Sequence, residues 1–348
     1  MSSHPLASLG WSDSLSTHWA SRPADGALAG RVIADARERW TVATAAGELT
    51  VTLAGRARDA SHPVVGDWVA IESRALIVEV LPRSTLLARR AAGAEHAQAV
   101  AANVDVVLVC APLDRPLSRR WLERALALAY TSGASPHVVL TKADACDDPD
   151  AARAIAAEAG LACPVSCTSV VGNSGFEELD AIVATPSTFV LIGASGAGKS
   201  TLINRWLGED VLATGAVRDE DHRGRHTTTR RELLFLPTGA LVIDTPGVRE
   251  LGLWAADEGL DAVFSDIEEV AARCRFADCT HAHEPGCAVR EAVESGELSA
   301  ERVEHLADLR REQSWIDSKT DPAAAAARKA RAKAISKSVS TVYRLKGR

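Results

Sequence analysis

The sequence predicts a multidomain chain: an N-terminal β-barrel, a central α/β domain built around a phosphate-binding loop, and a C-terminal helical metal-binding module. Three observations point there. Short alternating segments broken by Gly and Pro run to about residue 91, a strand–helix–strand alternation begins at Val104, and Cys274 to Cys287 packs three cysteines and two histidines into fourteen residues. A chain of 348 residues also exceeds the usual size of one domain. The expected divisions are an N-terminal extension over 1–29, the barrel over 30–95, the α/β domain over 96–256, the helical metal module over 257–320 and a tail over 321–348.

In the first region, Trp40 to Thr44 and Leu49 to Leu53 alternate with a period of two, the pattern of half-buried strands in a small barrel or sandwich. The continuous apolar run Val104 to Ala111 is followed by a helical stretch, Arg119 to Tyr130, and a second run, His137 to Leu140. The alternation resumes at Val165, at Thr188 to Ile192 and at Ala240 to Ile243, with a further strand at Arg231 to Leu236. Apolar strands joined by helices predict a parallel sheet covered on both faces, reaching to about residue 255. From Phe264 onward helices dominate, with Leu298, Val303, Leu306 and Leu309 at helical spacing and Ser299 as a cap.

The net charge of -7 conceals an asymmetry. Pro322 to Arg348 holds eight Lys or Arg and no acid, leaving 31 basic against 46 acidic residues in the rest of the chain. An acidic body with a basic tail predicts local contact with phosphate. No apolar run approaches the roughly 20 residues that cross a bilayer, and Met1 to Asp13 has neither a basic nor an apolar leader region, so a cytoplasmic protein without membrane contact is expected. Of seven cysteines, Cys110, Cys146, Cys163 and Cys167 lie scattered in Ala- and Val-rich sequence that suits a reduced, small apolar residue.

Gly193, Ala194, Ser195, Gly196, Ala197, Gly198, Lys199 and Ser200 satisfy the P-loop pattern, after the strand Thr188 to Ile192 and before the helix that begins with Thr201. Glycines let backbone N–H groups close around phosphates, Lys199 reaches the β and γ oxygens, and Ser200 suits a magnesium ion brought with the nucleotide. Asp244-Thr-Pro-Gly247 closes the strand Ala240 to Ile243, where a carboxylate can hold magnesium through water and a backbone amide can meet the γ-phosphate. Between them, Gly224 to Thr229 is a polar loop suited to close a threonine hydroxyl on magnesium, and Thr228 is the chosen candidate. Val248 stands where many GTPases place a water-orienting Gln, and valine cannot polarise water. Slow intrinsic turnover is therefore expected, with Lys199, Thr228 and His226 as the catalytic set and His226 positioning the water.

Thr141, Lys142, Ala143 and Asp144 follow the strand His137 to Leu140 in the manner of the guanine-specifying NKxD motif. The Asp accepts from the guanine N1 and N2 protons and the Lys stem lies along the base; adenine offers no matching donors. Thr141 stands for the usual Asn, which predicts a weakened hydrogen bond. Ser166-Cys167, after the strand around Val165, is the candidate for the segment supporting guanine O6. Ordinary GTPases present the phosphate loop first and the base-reading motifs last. Here the base-reading motifs come first, so the same cycle is cut elsewhere, a circular permutation.

Cys274, Cys279 and Cys287 with one histidine give a closed Cys₃His site, the donor set of one structural zinc ion. His281 and His283 compete for the fourth position, and spacing does not choose between them.

Together these motifs resemble the ribosome small-subunit-dependent GTPase A family, also called RsgA or YjeQ, over nearly the whole chain. Pro63 to Trp68 and Leu81 to Leu87 look like its N-terminal OB-fold barrel, Ala102 to Asp105 like the start of its GTPase domain, Gly224 to Thr229 like its switch, and Asp278 to Val289 like its zinc signature. The resemblance implies that His281 is the ligand histidine. It also implies a GTPase converting GTP to GDP and phosphate, stimulated by the small ribosomal subunit, binding its rRNA and acting late in subunit maturation; nothing in the sequence demands more than a monomer. Two other readings share parts of the pattern. Lys142 and Asp144 argue against a P-loop ATP-dependent enzyme, and retention of Lys199 and Ser200 argues against an RNA-binding scaffold with a structural nucleotide.

Overall fold

The computed structural model describes residues 5–23, 26–36, 38–55, 62–90, 97–160, 163–212, 231–244 and 257–320. The chain divides into two compact units, Met1–Arg89 with Gln98–Gly252, and Arg90–Ala97 with Leu253–Arg348.

The first unit opens with helix α1, Asp13–Ala20, whose cap Ser12 accepts from the Leu15 N–H at 3.2 Å. Strands β1 (Leu28–Asp35), β2 (Trp40–Thr44), β3 (Gly47–Leu53), β4 (Trp68–Glu72) and β5 (Leu76–Val80) follow. They pair β1–β2–β3–β5–β4, and β4 returns to β1, so the sheet closes on itself. This is the five-stranded OB-type barrel that the sequence led one to expect. Inward positions of the alternating strands, Val32, Trp40, Val42, Val51, Val69, Ile71 and Ile77, fill the interior. The Trp40 indole is satisfied by donating to Pro63 O at 3.1 Å. Arg83 donates to both Asp67 oxygens at 2.7 Å, which joins the two segments Pro63 to Trp68 and Leu81 to Leu87.

Strands β6 (Leu86–Arg90) and β7 (Ala97–Ala102) form a two-stranded ribbon. The α/β layer then runs β8 (Val106–Pro112), α2 (Arg119–Thr131), β9 (Ser135–Thr141), α3 (Pro149–Gly160), β10 (Val165–Cys167), α4 (Glu177–Val183), β11 (Thr188–Ile192), α5 (Lys199–Leu207), β12 (Arg231–Phe235) and β13 (Leu241–Asp244). In space the order is β10-β9-β8-β11-β13-β12, parallel except for β12. Both faces are covered, as the unbroken apolar strands require, and Leu108, Phe189, Leu191, Leu202 and Trp206 sit in one core. Cys110 is buried among these residues and Cys163 beside Pro136 and Gly160, and burial pushes the Cys110 thiol up to about 12, leaving it an inert small apolar group.

Barrel and α/β layer are physically continuous. β12 pairs with β1 through Ala34 opposite Glu232 and Asp35 opposite Arg231. Beside that seam Arg31 is fully buried, donating to Gly66 O, Leu9 O, Thr188 Oγ1 and Asn103 O. Burial lowers its pKa to about 10, opposed by Asp105 and Asp67, and the four acceptors are what make an interior guanidinium tolerable.

The second unit contains α6 (Asp257–Val263), α7 (Ser265–Ala271), α8 (Ala288–Ser295) and α9 (Ala300–Thr320). Val303, Leu306 and Leu309 lie on α9, but Leu298 does not: it packs just ahead of the helix, which begins after Ser299. Arg302 ties α9 to the earlier helices by donating to Asp266 Oδ2 at 2.7 Å and Val263 O at 2.9 Å. Among the described residues, no helix is long and apolar enough to cross a membrane. The basic tail over 321–348 lies outside the described residues.

Candidate nucleotide and metal sites

The carboxyl ends of β8, β9, β11 and β13 open on one edge of the parallel sheet, the edge at which such sheets bind ligands. Gly193 leaves β11 at φ +154°, and a β-carbon there would stand 2.4 Å from Cys110 O, so only glycine lets the loop turn away from β8. Gly198, at φ +80°, starts α5, whose first turn presents Lys199, Ser200 and Thr201. Lys199 Nζ donates to Gly193 O at 2.8 Å and Ala194 O at 2.9 Å, so the ammonium is held across the mouth of its own loop.

The base-reading segment is fastened to that loop. Thr141, at the end of β9, donates from Oγ1 to Ala197 O at 2.9 Å. The hydroxyl of Thr141, the residue standing for the usual Asn, thus bonds directly to the phosphate loop. Lys142 adopts φ +58° and its ammonium pairs with Asp114. That bond, the largest influence, together with Arg115 pulls the Asp114 carboxyl below its ordinary range. The Ala143 N–H donates to Thr168 O at 3.0 Å. Asp144 Oδ1 accepts from the hydroxyl of Ser169, and Ser169 Oγ in turn accepts from the Gly172 N–H at 2.7 Å.

This geometry corrects one expectation. Ser166 and Cys167 do not form a base-facing loop; they lie inside β10, paired with Val139 and Leu140 of β9. Ser166 is buried, with its hydroxyl 2.7 Å from His137 Nε2 and donating to Glu178 Oε2 at 2.7 Å. The segment that reaches Asp144 is three residues further on, beginning at Ser169 and closed by a bridge to Ser174. The signal that could have found it is the turn-forming run Gly172-Asn-Ser-Gly175, which marks where the loop must be.

Asp244 ends β13 on the same edge, with Glu232 of β12 directly opposite. Burial raises its pKa, countered by Lys199 and reinforced by Glu232. A carboxylate facing an ammonium at the phosphate end of a P-loop is a suitable anchor for a hydrated divalent ion. Thr228, His226, Gly247 and Val248 lie outside the described residues.

The second unit carries a different chemistry. The ligand atoms of Cys274, Cys279, His281 and Cys287 all lie within 4.8 Å of one another. His281 Nδ1 is 3.6 Å from Cys274 Sγ and 3.4 Å from Cys287 Sγ, and those two sulfurs are 3.9 Å apart. A tetrahedron with metal–sulfur bonds of about 2.3 Å has edges of about 3.8 Å, so the four residues fit a metal ion. The histidine left open by spacing is resolved: His281 joins the cluster, at φ +61°, and His283 does not. Glu284 holds the intervening loop, accepting from Thr280 Oγ1 at 2.6 Å and from the N–H groups of Thr280, Ala282 and His283, each at 3.1 Å.

Known GTPases resemble this chain over most of its length. The family model described as RsgA GTPase matches residues 80–254. A protein of Opitutus terrae called small ribosomal subunit biogenesis GTPase RsgA is 42% identical over 363 residues, covering 99% of each chain. One of the same name from Streptomyces avermitilis is 45% identical over 329 residues, covering 92% of this chain and 89% of that one. The crystal structure of YjeQ from Thermotoga maritima superposes with a TM-score of 0.61 at 28% identity, covering 82% of this chain and 98% of that one. That of YloQ, described as a circularly permuted GTPase, gives 0.57 at 28% identity, over 84% and 97%.

Proposed function

The chain belongs to the RsgA GTPase family, and from that premise we propose that it binds GTP and hydrolyses it to GDP and phosphate in the biogenesis of the small ribosomal subunit. The observation that carries this reading is the latch between Thr141 Oγ1 and Ala197 O, which sets the base-reading segment against the phosphate loop within one site.

In this reading the amides from Ala194 to Lys199 cradle the phosphates, and Lys199 exchanges its two carbonyl acceptors for the β and γ oxygens. Asp144 accepts from guanine N1 and N2, and the Ser169 hydroxyl fixes the carboxylate's orientation. Ser200 and Thr228 supply hydroxyls, and Asp244 a carboxylate, to the magnesium that accompanies GTP. His226 orients the attacking water, since Val248 does not. Cys274, Cys279, His281 and Cys287 hold one structural zinc ion, which closes the small helical unit. The basic tail and the OB barrel contribute contacts to rRNA, so subunits stimulate turnover in a salt-sensitive way. The protein works as a cytoplasmic monomer.

The test is steady-state GTP hydrolysis with and without purified small ribosomal subunits at two salt concentrations, with Lys199→Ala as the blank. Stimulation that fades with salt is expected. An unchanged rate on adding subunits, in a protein that still prefers GTP to ATP, would leave the GTPase reading standing and remove the ribosomal one.

A further inference from the structure

A charged arm hangs over the phosphate loop that none of the motifs accounts for. Between the end of β8 at Pro112 and Ser118, the cap of α2, the chain places Asp114 and Arg115 side by side. The arm's root is fixed, because the Leu113 N–H donates to Thr141 O at 2.8 Å. Asp114 then bridges two cations: Lys142 pairs with one carboxylate oxygen, and Arg115 Nε donates to the other at 3.1 Å. With Nε so engaged, the outer guanidinium edge points onward, and Nη2 comes within 3.9 Å of where a β-carbon on Gly196 would stand. Gly196 is the central glycine of the phosphate loop, exposed and at φ +75°.

We propose that Arg115 is a binding residue for the nucleotide's α- and β-phosphates, an arginine built into the base-side half of the site and held over the loop by Asp114. The inference rests on the GTP-binding reading above and extends it. The central amides of a P-loop face the α- and β-phosphates, whereas the lysine serves the β and γ oxygens, so a guanidinium at Gly196 meets the inner phosphates. Its planar fork suits two phosphate oxygens at once. The arrangement also answers an electrostatic difficulty. A lone Asp114 beside a polyphosphate would repel it, but flanked by Lys142 and Arg115 the group is net positive. Asp114 thus links the lysine that lies along the base to the arginine that meets the phosphates.

The experiment measures equilibrium affinity for GDP and for a non-hydrolysable GTP analogue, competition by guanosine, and KM and kcat for GTP, in wild-type protein, Arg115→Ala and Arg115→Lys. Arg115 is half exposed and its removal leaves the Ser118 cap in place, so melting temperatures should coincide. Expected for Arg115→Ala is a loss of about tenfold in affinity for GDP and for the analogue alike, matching a charge-assisted bond at a partly solvated site. KM for GTP should rise by more than kcat falls, guanosine competition should be unchanged, and Arg115→Lys should recover part of the loss. GDP affinity unchanged in a folded Arg115→Ala protein would overturn the proposal. So would an equal loss for guanosine, which would place the effect on the base through Asp114 and Lys142. A fall in kcat with GDP affinity intact would also overturn it, moving Arg115 to the γ-phosphate. Failure of the wild-type protein to bind GDP would instead sink the GTP-binding reading itself, and is distinguishable from each of these.

Discussion

The nucleotide site and the metal site solve the same problem at opposite scales. The first collects side chains from Asp114 to Asp244, carried to one sheet edge by four parallel strands. The second takes all its ligands from Cys274 to Cys287 and needs only a loop, a histidine in a left-handed conformation and the start of α8. A site assembled by a sheet inherits the stability of the sheet, because the strands are buried whether or not a ligand comes. A site assembled by a loop has only short-range contacts, such as those of Glu284, to hold it without a ligand. A metal held in the second unit would therefore be structural, and a nucleotide bound in the first a visitor.

The largest effect that could break this contrast is removal of the metal. Chelation, or Cys279→Ser, should cost the helical unit metal-binding free energy of order 10 kcal/mol and abolish its cooperative melting by circular dichroism. GDP should still bind to the other unit; a chelated protein that melts unchanged would remove the structural role. Next in size, Lys199→Ala should lower GTP turnover by about a hundredfold or more with the thermal midpoint nearly unmoved, since its ammonium donates to two carbonyls of its own loop. Midpoint and turnover falling together would mean that the loop depends on this lysine for its shape.

A pair of serines sharpens the comparison further. Ser169→Ala should weaken GDP binding by about tenfold, a bond to a charged group being worth about 1.5 kcal/mol. Ser166→Ala should leave GDP affinity alone and cost about 1–2 kcal/mol of stability by stranding the buried ring of His137. Calorimetric titration and thermal melts on both variants would expose a reversal of roles. The smallest effect is in pH. Burial raises the Asp244 pKa, so its proton returns at a higher pH than for an ordinary aspartate, and ion-dependent turnover should fail from the acid side earlier. A kcat/KM profile with its acid limb at the usual carboxylate value, over a range where tryptophan fluorescence reports intact structure, would contradict that assignment.

What could be read in advance followed the same division of scale. The P-loop, the base-reading motif and the cysteine spacing are local patterns with fixed chemistry, and the strands bearing them were bounded to within a residue or two because both faces are buried. Ser166 and Ser169 are hard to separate in the sequence because they stand three residues apart around one short strand; Ser166 lies inside β10, buried against His137, and Ser169 lies beyond it. His281 was distinguishable from His283 by family likeness but not by spacing, since both are within reach of the second cysteine and the choice depends on the backbone turn at φ +61°. The meeting of β12 with β1, and the burial of Arg31 beside it, left no trace in any local pattern. Their partners are some two hundred residues away along the chain in the first case and scattered over four segments in the second.

The permuted strand order has a consequence for how the chain is made. β8, β9 and β10 are adjacent in both sequence and space, so they can pair as soon as they are synthesised. The other edge of β8 belongs to β11, which appears only after α2, β9, α3, β10 and α4 have been translated, and β11 in turn waits for β13. The end of β1 waits longer still, for β12. Late, non-local pairing of this kind is slow and leaves strand edges open in the interval. A nascent chain stopped short of Gly193 would thus carry Thr141 to Asp144 and Ser169 with the glycine loop that they meet not yet made.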